Sequence, residues 1–287
     1  EVLLEALPYM QRFRGQTFVI KYGGSAMEEP ELVEQVLRDV VFLEVVGANP
    51  VIIHGGGKAI TRRMNEQGLN ATFIAGLRVT CHDSVAIVDE VLNTVVSPSI
   101  VTSINRLGGR AVQVPGNRVF RATKSPPLLH QGQSIDLGFV GQVESCQTSE
   151  VLHALAQETV PVLSPLGVDA SGQIYNINAD IAAADLAVAL HADKLIYLSD
   201  VNGVLLNPAD PSTRIPTVTR ADAARLKAEG IISGGMIPKI DSCLDSLARG
   251  VKKVHLIDGR IPHALLLELF TDRGIGTEIV ESAPSSP

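Results

Sequence analysis

The sequence predicts an α/β protein, a three-layer αβα sandwich around an open and largely parallel central sheet. Three observations carry that prediction. Short apolar runs at 17–22 and 51–53 end abruptly in glycines, Gly23-Gly24 and Gly55-Gly56-Gly57. Stretches with apolar residues at helical spacing follow them. Strand-like and helix-like segments then alternate over most of the chain, the order that gives parallel strands covered on both faces.

The elements follow in order. Val2–Phe13 reads as an amphipathic helix with Leu3, Leu4, Leu7, Met10 and Phe13 apolar, and Pro8 is expected to kink or restart it. Strand Thr17–Tyr22 precedes a helix from Pro30, a favoured first-turn residue, to Val46, where Gly47 stops it. Strand 51–53 and its glycine turn lead into a helix through Ile60 and Met64 that ends at Gly68. The next helix runs from Asp83 to Val95 and is expected to be interrupted at Ser97-Pro98, with a second piece reaching Leu107. A strand is read at 110–114. Between Pro115 and Gln147 the period shortens to alternation with turn residues, as in antiparallel hairpins. Crossover alternation resumes with helix 149–157, strand Val160–Leu163, helix 179–190 and strand 194–198. Helices 221–228 and 236–249, strand 253–257, helix 262–270 and strand Thr277–Val280 complete the reading.

Composition narrows the function classes. A chain of 287 residues can bury a sizeable core, and 45% apolar residues suit a globular protein. The net charge of −7, without a polybasic run, argues against nucleic acid or an anionic membrane as partner. An anionic ligand must therefore be held by individual lysines and arginines near the glycine turns. Cys81, Cys146 and Cys243 are far apart and form no CxxC pair, which fits reduced thiols in a cytoplasmic setting and no zinc site. No stretch is read as approaching the ~18–20 apolar residues of a membrane span. The nearest, 182–198, contains Asp185, His191, Asp193 and Lys194. No secretory leader is read.

Several residues have the chemistry of an anion site. Glycines after a strand let main-chain N–H groups converge on an oxygen, and a helix N-terminus adds free donors. Gly56 and Gly57 fit that seat, although GGGK also fits a tight helix–strand turn. Lys21 stands near the end of the first strand, where a lysine commonly snorkels to solvent. Lys239 lies just inside a helix after Gly234-Gly235, a place where a cation opposes the helix dipole unless a ligand charge answers it. In Asn176-Ile177-Asn178-Ala179-Asp180, Asn178 reads as a helix N-cap and Asp180 as a first-turn acid, which leaves Asn176 free. Arg78 offers a fork for a carboxylate or a surface pair. The loop after Leu198 fits either a nucleotide or a turn. A Walker loop and a GxGxxG turn are both absent.

In this order, VIKYGGSAM, IIHGGGKAI, GLRVT, YNINAD, LSDVNGVL and GGMIPK resemble the N-acetylglutamate kinase family of the amino acid kinase superfamily over essentially the whole chain. GLRVT followed by NINAD favours N-acetylglutamate over aspartate, carbamate or UMP as acceptor. The resemblance implies an amino acid kinase-like sandwich with three parts. Residues 1–14 would be an oligomerisation helix, 15–179 an acceptor-binding lobe and 180–287 an ATP-binding lobe. The implied reaction moves the γ-phosphoryl of MgATP to the side-chain carboxylate of N-acetyl-L-glutamate, with Mg²⁺ held mainly by phosphates. Lys21 and Lys239 would approach the transferring group and Asp180 would orient them. Gly56, Gly57, Arg78 and Asn176 would hold the acceptor. Gly23, Gly24, Asp200, Val201, Asn202, Gly203, Val204, Leu205, Ile231, Ile232 and Ser233 would line the ATP site.

The resemblance also implies regulation. The N-terminal helix is similar to that of the arginine-inhibited branch, in which such helices interlace dimers into a hexamer, a trimer of dimers. Tyr9, His255, Glu268 and Gly274 match an L-arginine pocket, although packing of the last strand and helix explains His255 equally well. A PII signal protein is a further partner in that branch. Two segments depart from the pattern: 95–101, where relatives usually carry a Val-Asn-Lys-like run, and a shortened loop at 114–118. Both flank the acceptor side. Another carboxylate or carbamate kinase, a non-catalytic arginine sensor and, more distantly, a dehydrogenase are the competing readings.

Overall fold

Strand alternation and helix crossovers give the chain its layers in the computed structural model, which describes residues 2–271 and 273–282, with side chains from Leu7 onward. The side chains of Leu3 and Leu4 and the tail from 283 lie outside the described residues. Helix α1 (Val2–Phe13) runs through Pro8 without a break and delivers β1 (Thr17–Tyr22). Next come α2 (Pro30–Val45), β2 (Asn49–His54), α3 (Gly57–Glu66) and a small ribbon of β3 (Phe73–Ile74) and β4 (Leu77–Arg78). α4 (His82–Val91) continues through a π-helical stretch, Leu92–Val96, into α5 (Ser97–Arg106). β5 (Ala111–Val114) and the single turn α6 (Gly116–Val119) precede the hairpin region of β6 (Phe120–Lys124), β7 (Leu128–His130), β8 (Gln133–Ile135) and β9 (Gly141–Cys146). α7 (Ser149–Ala156), β10 (Val160–Leu163), β11 (Leu166–Val168), β12 (Ile174–Asn176), α8 (Ala179–Ala189) and β13 (Lys194–Ser199) follow. The last elements are β14 (Thr217–Thr219), α9 (Arg220–Ala228), α10 (Met236–Ala248), β15 (Lys253–Asp258), α11 (Ala264–Leu269) and β16 (Thr277–Val280).

The main sheet has eight strands in the order β14-β16-β15-β13-β1-β2-β10-β5. Every neighbouring pair is parallel except β15 with β16. β1 lies at the middle, between β2 and β13, so strands from both sides of residue 180 share one sheet. Alternation then sorts the side chains. Phe18, Ile20 and Tyr22 enter the core shared with α2, α4, α5 and α11, whereas Val19 enters the core shared with α8, α9 and α10. Lys21 is in phase with Val19 and so faces α8. That helix buries Ala182, Ala183, Ala184 and Ala187, small residues that let its N-terminus approach the strand ends closely. The carboxyl ends of β1, β2, β10 and β13 meet there, where ligands of open α/β sheets bind.

The expected interruption at Ser97-Pro98 does not occur. The helix is continuous from His82 to Arg106, and Ser97 N–H bonds to the Leu92 carbonyl five residues back. The widened turn accommodates Pro98, whose ring and missing N–H would otherwise break a regular helix. This 25-residue helix is by length and composition able to cross a membrane, contrary to the sequence expectation. Here Val85, Val88, Val91, Leu92, Ile100 and Ile104 are buried in the protein core. The antiparallel hairpins at 115–147 are present as β6 with β9 and β7 with β8. β11, β12 and β14, of three residues each, are too short for a periodicity to register.

Candidate functional site

β1 and the start of α10 bring two lysines to one carboxylate at the N-terminus of α8. Lys21 Nζ lies 3.0 Å from Asp180 Oδ1, an ion pair, and Lys239 Nζ donates to Oδ2 at 3.0 Å. Asn178 caps α8, its Oδ1 accepting the Asp180 N–H at 2.8 Å, so the capping expected from sequence also holds the carboxylate in place. Burial alone would raise the Asp180 pKa, but the charges of Lys21 and Lys239 outweigh it and hold the carboxyl below its ordinary range. The Tyr197 ring stands under Lys239, 5.3 Å from Nζ to centroid. Two ammoniums against one carboxylate leave a surplus positive charge at a cleft mouth. Lys21 is therefore not a snorkelling lysine.

Gly23 and Gly24 lie beside this cluster. Gly24 adopts φ of +72°, and a Cβ there would stand 2.8 Å from Asp200 Oδ1. The Ser25 N–H donates to that same oxygen at 2.9 Å, which ties the β1 turn to the loop after β13. In that loop Val204 is buried, its N–H donating to Thr277 Oγ1 at 2.8 Å, and Ile232, between α9 and α10, is buried as well. Both side chains belong to the core, so they can offer a ligand only main chain. Asp200, Val201, Asn202, Leu205, Ile231 and Ser233 remain at least partly accessible.

The second glycine turn forms the other wall. Among the described residues, no hydrogen-bond acceptor faces the N–H of Gly56 or Gly57 at the start of α3, as expected of a helix N-terminus. Arg78, buried, donates to the Gly57 carbonyl and to Thr61 Oγ1, both at 2.8 Å, and lies 4.6 Å from the Phe73 centroid. Its pKa is lowered by burial, and no described carboxylate pairs with it. Arg78 is thus a buried guanidinium held by neutral acceptors and not a surface ion pair. Asn176 donates to Thr80 Oγ1 at 3.2 Å. Gly56, Gly57, Arg78 and Asn176 line one cavity of about 160 Å³. A wider cleft of about 1020 Å³ opens on the other side of the turn, with Gly24, Met27, Lys58 and Phe73 on its walls.

Sequence reasoning passed over His54. It ends β2, is fully buried, and joins the Gly55 carbonyl (Nδ1, 2.7 Å) to the Ser97 hydroxyl (Nε2, 2.6 Å). Its place directly before three glycines was the available signal.

The amino ends of the strands carry a separate cavity of about 770 Å³, lined by Tyr9, Lys194, His255, Glu268 and Gly274 among others. Lys194 Nζ lies 3.1 Å from His255 Nε2, and His255 Nδ1 lies 2.7 Å from Glu268 Oε1. The other Glu268 oxygen accepts the N–H groups of Ile275 and Gly276, each at 2.7 Å. Burial lowers the His255 pKa and keeps the ring neutral. For Glu268 burial acts upward, but hydrogen bonds from His255 and the two N–H groups prevail and lower its pKa. The four sequence-selected residues do gather here, though both Glu268 oxygens already have internal partners. Lys194, noted in the sequence only as a break in an apolar run, is the group that was missed.

Comparison with known proteins agrees with this architecture. Residues 16–258 match the model of the amino acid kinase family. The acetylglutamate kinase of Akkermansia muciniphila is 49% identical over 97% of this chain and 94% of its own length. That of Halothermothrix orenii is 46% identical over 98% and 97%. Among solved structures, N-acetylglutamate synthase from Neisseria gonorrhoeae, complexed with coenzyme A and N-acetyl-glutamate, superposes with a TM-score of 0.81 at 27% identity. The match covers 98% of this chain but 63% of the synthase, less than two thirds of it. A carbamate kinase of Giardia, at 16% identity and a TM-score of 0.67, over 93% of this chain and 99% of its own, shares the fold. With the family model matched over most of its length and close relatives aligned almost end to end, the chain belongs to the amino acid kinase family.

Proposed function

We propose that this chain transfers the γ-phosphoryl of ATP to the side-chain carboxylate of N-acetyl-L-glutamate, giving N-acetyl-L-glutamyl 5-phosphate for arginine biosynthesis. The observation that carries the reading is the pair of ammoniums, Lys21 and Lys239, on the two oxygens of Asp180, facing the glycine turn that Arg78 underlies. Identity near one half to acetylglutamate kinases over nearly the whole chain supports the choice of acceptor.

The chemistry follows from charge. A carboxylate is already a nucleophile and needs no general base. Its obstacle is repulsion from the triphosphate, since two unit charges 4 Å apart interact by ~4 kcal/mol at an effective dielectric near 20. Catalysis then reduces to positioning and neutralisation. The N–H groups of Gly56 and Gly57 donate to the acceptor, and Arg78 and Asn176 hold its carboxylate and N-acetylated end. Lys21 and Lys239 take up the charge of the transferring group, with Asp180 keeping the two ammoniums apart and aimed. No group of three or more His, Cys, Asp and Glu among the described residues is arranged as a metal cage. Mg²⁺ carried on the nucleotide phosphates would supply further charge neutralisation.

The cavity at the amino ends of the strands is the proposed site for L-arginine as feedback inhibitor. Tyr9 on α1 connects it to the helix proposed to interlace dimers into a hexamer. An ADP-release assay over N-acetyl-L-glutamate, glutamate, aspartate and carbamate, with and without arginine, tests the whole reading. Turnover should be confined largely to N-acetyl-L-glutamate. Preference for another acceptor, or ATP binding without turnover, would overturn it.

A further inference from the structure

We infer that Ser97, acting through His54, is a positioning residue for the acceptor seat: its hydroxyl holds the imidazole ring so that Nδ1–H clamps the Gly55 carbonyl and so aims the Gly56 N–H into the cleft. The inference rests on the reading of Gly56 and Gly57 as donors to the acceptor.

The partners assign the tautomer. The Gly55 carbonyl carries no proton, so its 2.7 Å contact requires His54 Nδ1 to be the N–H donor. Burial lowers the His54 pKa to about 4, so the ring is neutral and Nε2 is left as a bare acceptor. Ser97 Oγ, 2.6 Å away and itself buried, then donates its only proton there. Gly55 is also held from the other side, its N–H donating to the Tyr22 carbonyl at 2.8 Å. The Gly55 C=O and the Gly56 N–H belong to one rigid peptide plane and point in opposite directions. Holding the carbonyl against His54 therefore sets the direction of the Gly56 donor.

The helix above the turn is phased for this contact. Ser97 is the first residue after the π-helical stretch Leu92–Val96. An extra residue in one turn rotates everything beyond it by roughly 100° relative to a regular helix. The same helix reaches the turn a second time through Leu92, whose Cδ2 would lie 2.4 Å from a Cβ at Gly56. Leu92 thus bounds the turn sterically, while Ser97 and His54 orient its peptide. Ser97 falls within the segment that departs from the Val-Asn-Lys-like run, so this chain achieves the contact with a hydroxyl.

Long-range ¹H–¹⁵N spectra of histidine-labelled protein test the clamp directly, with a His54→Gln variant identifying the signal. Wild type should show His54 as the Nδ1–H tautomer without any substrate. Ser97→Ala should keep the Nδ1–H tautomer that the Gly55 carbonyl requires but shift the His54 Nε2 resonance through loss of its hydrogen-bond donor, and raise KM for N-acetyl-L-glutamate by ~10-fold, as for one lost hydrogen bond. KM for ATP should stay within about twofold, because that site lies across the cleft. Ser97→Thr, which keeps the hydroxyl, should restore both readouts. An Nε2–H tautomer in wild type, or an unchanged acceptor KM in folded Ser97→Ala, would overturn the inference. Should wild type phosphorylate no N-acetyl-L-glutamate, the functional reading falls, and the tautomer measured without substrate still decides the clamp.

Discussion

The two ends of β13 carry clusters whose charged groups are paired in different ways. Beside its carboxyl end, Lys21 and Lys239 share Asp180, and the buried Arg78 across the cleft has no described carboxylate partner. At its amino end, Lys194, a neutral His255 and Glu268 sum to zero charge, and each has a partner inside the protein. The first arrangement gains by taking up an anion. The second is paired within itself, although Arg12, Arg214, Lys253 and Arg273 line the cavity around it. The sites proposed for turnover and for regulation thus lie at opposite edges of the same sheet.

The comparison breaks most visibly if the surplus charge proves idle. Lys21→Ala and Lys239→Ala are each expected to lower kcat by ~10²–10³-fold, the usual loss of one preorganised charge donor. Steady-state kinetics on folded variants measure it. Near-normal kcat in either would remove that lysine from the transferring group and leave the cleft with no more claim to chemistry than the other cavity.

The amino-end cluster answers to pH instead. Burial lowers the Lys194 pKa from 10.5 to about 8. Between those values the unfolded chain holds a proton that the native protein has released, so stability rises with pH through that window. The contribution is on the order of 3 kcal/mol. Lys194→Met should abolish that rise, as read from urea unfolding at several pH values across the window. An identical slope in wild type and variant would mean that the lysine is not desolvated and that the two clusters differ less than their geometry implies.

Arg78 sharpens the contrast within the cleft itself. A lysine there cannot hold the Gly57 carbonyl and Thr61 while also facing a ligand, because it lacks the planar fork. Arg78→Lys should lower kcat/KM for the acceptor by ~10–10²-fold through loss of a charge-assisted hydrogen bond. An effect on ATP rather than on the acceptor would place the guanidinium in the wrong half of the cleft.

How much of this was legible in the sequence depends on the range of the signal. Strand ends followed by glycines and the N-cap at Asn178 are local, and the structure has the sheet, the glycine turn and α8 as expected. Lys21 and Arg78 invited solvent-facing readings because their burial arises from distant elements, α8 for one and α3 for the other. The π-helical stretch was unreadable for a related reason. Pro98 signals a break, and only packing of the helix on β5 and β10 shows that a widened turn can take its place. Lys194 sits in a strand whose partner, His255, comes from β15, so no spacing in the chain could have paired them.

The smallest expected effect tests whether the floor of the seat is already in place before substrate arrives. Gly56, with φ of 178° and ψ of 13°, lies in the turn just ahead of α3, where Gly56→Ala adds one methyl group. Its new Cβ would meet Leu92 Cδ2 at 2.4 Å, the end of a side chain that can rotate at a cost of ~1 kcal/mol of overpacking. KM for the acceptor should rise only a few-fold (~2–4-fold for a fraction of that energy). Adding Leu92→Ala should recover it, since residues in contact couple rather than add. Recovery would show that Leu92 bounds the seat sterically while the main chain supplies the chemistry. A Gly56→Ala loss as large as that of the lysine variants, unrelieved by Leu92→Ala, would mean that the methyl itself occupies the acceptor's place.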